Sequence, residues 1–117
     1  MATTYKVLGQ VAPTVGTWSL LYTAPSAGPA VASTITVCNQ STIAGTYSIA
    51  VLVNTGTNTT YTPSNVKQYI TYSATIDPLT TTSFTLGLAL DAYDQIVVLS
   101  GTAGTTLSFN GFGLEVS

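Results

Sequence analysis

Charge is what this sequence most lacks: Asp, Glu, Lys and Arg make up 5% of its 117 residues, against about 25% in an ordinary soluble domain. Arginine is absent, and Lys6 and Lys67 are the only basic side chains. Affinity for nucleic acid comes largely from cations that displace counterions from phosphates, so two lysines argue against a nucleic-acid partner. The same shortage argues against an anionic membrane surface. Histidine is absent as well, which leaves the serines and the one cysteine without an imidazole base and removes the usual nucleophilic triads. Cys38, the single cysteine, has no internal disulfide partner. It follows Ile35-Thr36-Val37 in a strand pattern, and free cysteine is among the most buried residue types, so an inert thiol that modifies slowly is expected. No apolar run approaches the roughly 18 residues of a membrane span, and the opening residues lack the basic and apolar regions of a secretory signal. The expectation is a protein made in the cytoplasm, with no membrane partner.

Threonine stands where the charges are missing, with 23 copies beside 11 serines and 10 glycines. It is β-branched and suits strands, and its hydroxyl keeps an outward face wettable without charge. A net charge of −2 offers little repulsion between copies, so the composition points to a protein that works assembled. A chain of this length fits one domain of about 100–150 residues, and it can bury enough surface for a core without metals or disulfides.

The dominant pattern is two-residue alternation in short segments bounded by Gly, Pro, Asn and Ser, which predicts strands over 5–9, 17–23, 31–39, 46–53, 67–73, 83–90, 95–100 and 105–116. The clearest alternation is Phe84, Leu86, Leu88 and Leu90 against Thr85, Gly87 and Ala89. The apolar run at 96–99 predicts burial on both faces. In the last strand the apolar phase changes after Phe109, to Phe112, Leu114 and Val116, which predicts a bulge at Asn110-Gly111. Eight short antiparallel strands without a helix predict an all-β, single-domain β-sandwich or jelly roll over 1–117. Trp18, Ile35, Val37, Ile49, Val51, Phe84, Leu86, Leu88, Ile96, Val98 and Phe109 are its expected core. Residues 1–9 form either a first strand or an N-terminal arm, and 54–65 a long polar loop of the kind that often carries function.

Catalytic chemistry has little to stand on. Asp91 and Asp94 sit between two strong strands, where a carboxylate pair could hold Ca²⁺ or move protons; with only Ala92 and Tyr93 between them, they read better as turn formers. Asp77 and Glu115 have no partner by spacing. The triplets Asn39-Gln40-Ser41 and Asn58-Thr59-Thr60 match the glycosylation pattern at a frequency expected by chance. No enzyme activity, metal or cofactor is expected. Tyr61, in the polar loop, has no obvious core around it and is a candidate partner contact. Tyr5 and Lys6 of the N-terminal segment and Asn58 of the loop are the other candidates.

Several stretches together resemble a family of small tailed-phage virion proteins, frequent in phages of cyanobacteria and other aquatic bacteria. They are Met1-Ala2-Thr3-Thr4-Tyr5-Lys6-Val7-Leu8-Gly9-Gln10, Leu20-Leu21-Tyr22-Thr23-Ala24-Pro25, Ile35-Thr36-Val37-Cys38-Asn39-Gln40, Tyr69-Ile70-Thr71-Tyr72, Leu86-Gly87-Leu88-Ala89-Leu90-Asp91 and Phe109-Asn110-Gly111-Phe112-Gly113. The resemblance implies a virion structural protein with no catalytic motif to carry over. It is either a capsid cement (decoration) protein or a part of the tail, neck or fibre. A cement protein on the outer capsid surface suits a chain without cations, because a face toward packaged DNA would gain from Lys and Arg. The implied partners are the major capsid protein and further copies of the chain, most simply as a homotrimer. The alternative from another class is a carbohydrate-binding sandwich used for host attachment.

Overall fold

The structure is a computed structural model and describes residues 3–53 and 61–116. Its strands are β1 (Thr3–Val11), β2 (Ser19–Thr23), β3 (Ala30–Asn39), β4 (Gly45–Leu52), β5 (Tyr69–Ile76), β6 (Thr81–Leu90), β7 (Gln95–Ser100) and β8 (Leu107–Val116). Antiparallel pairing joins β1 to β8, β2 to β7, β3 to β6 and β4 to β5. The chain is therefore one long four-pair ribbon folded back at its middle and then rolled up. Two further pairings, β3·β8 and β4·β7, complete two four-stranded sheets with orders β1-β8-β3-β6 and β2-β7-β4-β5. Such rolling of nested hairpins into two facing sheets is the jelly-roll form of the β-sandwich.

The core lies between the sheets because alternate residues of every strand point inward. Ile35, Val37, Ile49, Ile96, Val98 and Phe109 are buried there as expected, and Val51, Phe84, Leu86 and Leu88 pack against them half-buried. Tyr47 bridges the sheets, its ring edge-on to Phe84 at 6.1 Å and to Phe109 at 6.3 Å. Such pairs contribute about 0.5–1.5 kcal/mol each beyond area burial. The two-sided burial expected for the 96–99 run is present, since Val97 faces away from Ile96 and Val98 into a second, smaller cluster with Ala50 and Leu52.

Trp18 belongs to that second cluster, not to the core. The register passes from Leu20↔Val97 to Tyr22↔Ile96, so Leu21 is an extra residue. One inserted residue reverses the facing of everything before it. Leu21 and Tyr22 are buried in the core, while Trp18 and Leu20 cover the outer face of the second sheet together with Tyr61 and Tyr69.

The bulge expected at Asn110-Gly111 is not in β8. The extra residues are in its neighbours: Leu8 of β1 opposite the step from Gly111 to Phe112, and Ser33 of β3 opposite the step from Phe112 to Gly113. Inward positions continue regularly as 107, 109, 111 and 113, but the last two are glycines because neighbouring groups already fill the space. A Cβ on Gly113 would stand 1.9 Å from the Val31 carbonyl oxygen. Phe112, Leu114 and Val116 therefore point outward. Residues 67–73, read as a strand from the sequence, divide into a 3-10 turn at Val66–Gln68 and the first part of β5.

Candidate interaction surface

Each sheet has two edges, and the four edge strands differ. In the second sheet β2 has five residues and a bulge, and β5 carries two register shifts and Ser73 at φ 48°. Short or bulged edges resist pairing with another chain. In the first sheet β1 and β6 also carry one register shift each, but at nine and ten residues they are longer, and among the described residues nothing pairs with their outer sides.

β1 also carries apolar side chains into solvent. Tyr5 lies opposite Leu114 and Val7 opposite Phe112, and on the far side of β8 Val31 lies opposite Leu114. These outward residues gather at one corner of the sheet, where Tyr5 is 80% and Val7 47% exposed. Of the candidate contacts read from the sequence, Tyr5 thus stands in the open. The segment expected as an arm or first strand is a strand from Thr3 onward.

Lys6 points the other way, toward the gap between the sheets. Its ammonium is 3.2 Å from Oε1 of Glu115, whose Oε2 accepts a hydrogen bond from the Tyr22 hydroxyl. Glu115 therefore has two partners, contrary to the expectation from spacing. Lys6 and Glu115 are 109 positions apart, and only the β1·β8 register brings them together. The Tyr22 hydrogen bond, helped by Lys6, holds the Glu115 carboxyl below its ordinary range. Burial, reinforced by Glu115, pushes the Tyr22 phenol above its own. The trio ties β1 and β8 of one sheet to β2 of the other.

Tyr61 folds back on its own domain, half-buried against the second cluster. Asn58 lies outside the described residues, as does most of the 54–65 stretch. Cys38, expected to be buried, faces outward from β3 beside Ser108 and Thr81 and is partly exposed. The reason is its phase: Val37 and Asn39 take the inward positions on either side.

Asp91 and Asp94 form the turn. The Asp94 carboxylate accepts the Asp91 N–H at 2.9 Å, and the Asp91 carboxylate accepts the Ala92 N–H at 2.8 Å. Among the described residues no three His, Cys, Asp or Glu side chains gather as a metal site would require. Asn39 is fully buried. Its amide donates to the carbonyls of Ile43 at 2.9 Å and Asp77 at 3.2 Å, and its oxygen accepts from the Ser41 N–H at 2.9 Å. The first glycosylation triplet is thus a structural hub that a glycan could not reach in the folded protein. Nothing in the residue pattern marks Asn39 for this role, although Asn followed by a polar loop is a turn signal.

What this surface offers is backbone donors and acceptors along β1 with an apolar corner beside them, the features that strand addition uses. Compared with known proteins, the chain matches no family model and no curated protein.

Proposed function

We propose that this chain is a virion structural protein, a capsid cement protein that docks on the outside of the shell through the apolar corner its β1 strand carries. The observation that carries the reading is the long unpaired β1 with Tyr5 and Val7 exposed on it, in a chain whose surface has almost no charge to keep copies apart. Jelly rolls recur in capsid proteins and in lectins, so the fold by itself selects neither; the sequence resemblance to small phage virion proteins tips the reading toward the virion. Self-association has a ready geometry. Three antiparallel steps separate β1 from β6, so the two edges run in opposite directions. The backbone edge of β1 can then take β6 of the next copy antiparallel, head to tail, in contacts that close into rings such as a trimer, and the outward side chains Tyr5 and Val7 are left to face the shell.

The test uses particles stripped of this protein, with wild-type or Tyr5→Lys/Val7→Lys chain added back and copies counted against the major capsid protein. The expected result is hundreds of wild-type copies per particle, greater resistance to heating at both low and high salt, and loss of both effects in the double variant. Salt should matter little because screening acts on charges and this contact has few. A dozen copies or fewer, or labelling on the tail, overturns the cement reading in favour of a tail, neck or fibre part.

A further inference from the structure

We infer that the aromatic row Trp18–Tyr69–Tyr72, on the second sheet, is a binding site for a pyranose ring of a neutral glycan. The row begins in the second cluster, where Trp18 meets Tyr69 with ring centres 5.9 Å apart, and continues to Tyr72, held edge-on to Tyr69 at 4.9 Å and 88°. Tyr72 is 70% exposed and Val66 88%. With Tyr69 they line a groove of about 390 Å³, in the size range of small-molecule sites.

Burial does not explain this arrangement, and the backbone is bent to produce it. Between the pairs Tyr47↔Ala74 and Ile49↔Thr71, the two residues Tyr72 and Ser73 stand opposite the single Ser48. Ser73 takes φ 48°, a left-handed conformation that serine rarely adopts, and its N–H is held by the Ser48 hydroxyl at 2.9 Å. A bulge of this kind re-aims the neighbouring side chain, and the side chain it re-aims here is the exposed Tyr72. The other wall is also fixed in advance. Asn65 accepts the Lys67 N–H, and the Gln68 oxygen accepts the N–H groups of Ser64 and Asn65 at 2.7 and 2.9 Å, a capping box around the turn that presents Val66.

The chemistry of the lining selects the ligand. Ring faces stack on the C–H faces of a sugar, whereas the phenol hydroxyls of Tyr69 and Tyr72 suit its hydroxyl groups. Across residues 61–76 the only ionised side chain is Lys67. No carboxylate is there for a cation, and one ammonium is little for a polyanion, so an uncharged polyol matches the charge. Because the groove lies on the sheet that does not contain β1, copies docked through β1 would keep it open. Many copies on one particle would then raise the avidity of a weak site.

The test titrates the intact protein with maltohexaose, cellohexaose and chitohexaose, following emission of Trp18, the only tryptophan, with calorimetry as a second readout. At least one of these should bind saturably with a Kd of about 1 mM or tighter. Tyr72→Ala should weaken that binding by about tenfold or more, and Tyr72→Phe by no more than about threefold. Tyr5→Lys/Val7→Lys should leave it unchanged, which separates this site from the docking corner. Saturation by none of the three sugars, undiminished binding by Tyr72→Ala, or binding of dextran sulfate alone overturns the inference.

Discussion

Replacing Gly9 by alanine should detach β1 from the body of the protein. Gly9 follows the Leu8 bulge, where β1 crosses closest to the backbone of β2 in the opposite sheet. A Cβ there would stand 1.9 Å from the Leu21 carbonyl oxygen, and Cβ contacts under 3.0 Å are essentially never seen, so the two strands must part by at least 3.0 − 1.9 = 1.1 Å. The obstacle is backbone, so no rotamer change relieves it. Overpacking of this kind costs about 1–3 kcal/mol, occasionally more, and a backbone shift places Gly9→Ala near the upper figure, about 3 kcal/mol. With a urea m-value of about 2 kcal/mol per M, the unfolding midpoint should fall by about 1.5 M. Gly87→Ala is the control. Gly87 lies in the middle of β6 with no atom within 4 Å of its would-be Cβ, so alanine should be neutral or stabilising by about 0.5–1 kcal/mol through a less flexible unfolded chain. A Gly9→Ala variant within about 0.5 kcal/mol of wild type, the usual range of harmless surface changes, would refute the close-approach argument, as would equal loss from both substitutions.

The lowered Glu115 carboxyl contributes stability that is present above its unfolded pKa and is lost as pH falls through the folded one. Urea titrations between pH 6 and pH 3 should therefore show wild type losing more stability than Glu115→Gln. The raised Tyr22 phenol has the opposite sense: its contribution is complete below about pH 10, the unfolded tyrosine value, and is lost as pH rises through the folded pKa. Tyr22→Phe should flatten that alkaline loss. Asn39→Ala strands the carbonyls of Ile43 and Asp77 and the N–H of Ser41. It should cost about 2–4 kcal/mol, measured by thermal or urea unfolding, because each buried orphan costs about 1–3.

Where alternation runs unbroken along a strand it is enough to read it: Phe84, Leu86, Leu88 and Leu90 announce the inward face of β6, and the solid 96–99 run announces a strand covered on both sides. Bulges are where that reading fails, because an extra residue is defined only by what lies opposite it. Leu21 reverses the facing of Trp18 without leaving a mark in its own segment. In β8 the change of phase is real, but glycines make it, as their neighbours' backbone leaves no room for a side chain. The candidate surface was half legible. Tyr5 was visible as an aromatic in an N-terminal segment. The Lys6–Glu115–Tyr22 tie was not, since pairing register is a tertiary property, and Tyr72 looked like an ordinary strand residue until the Ser73 bulge turned it outward.

The nested pairing has a consequence in time as well as in space. β1 leaves the ribosome first, yet its partner β8 is made last, 105 residues after β1 ends at position 11 and itself ends at 116. At about 5–20 residues per second, β1 waits about 5–20 s for a partner. The inner hairpin β4·β5 can close early, but β3 waits for both β6 and β8. Long-range pairing of this kind folds in milliseconds to seconds, so synthesis rather than folding sets when the sandwich closes. During that wait β1, with Tyr5 and Val7 on it, is open on both sides, and nascent chains on neighbouring ribosomes are its nearest available partners.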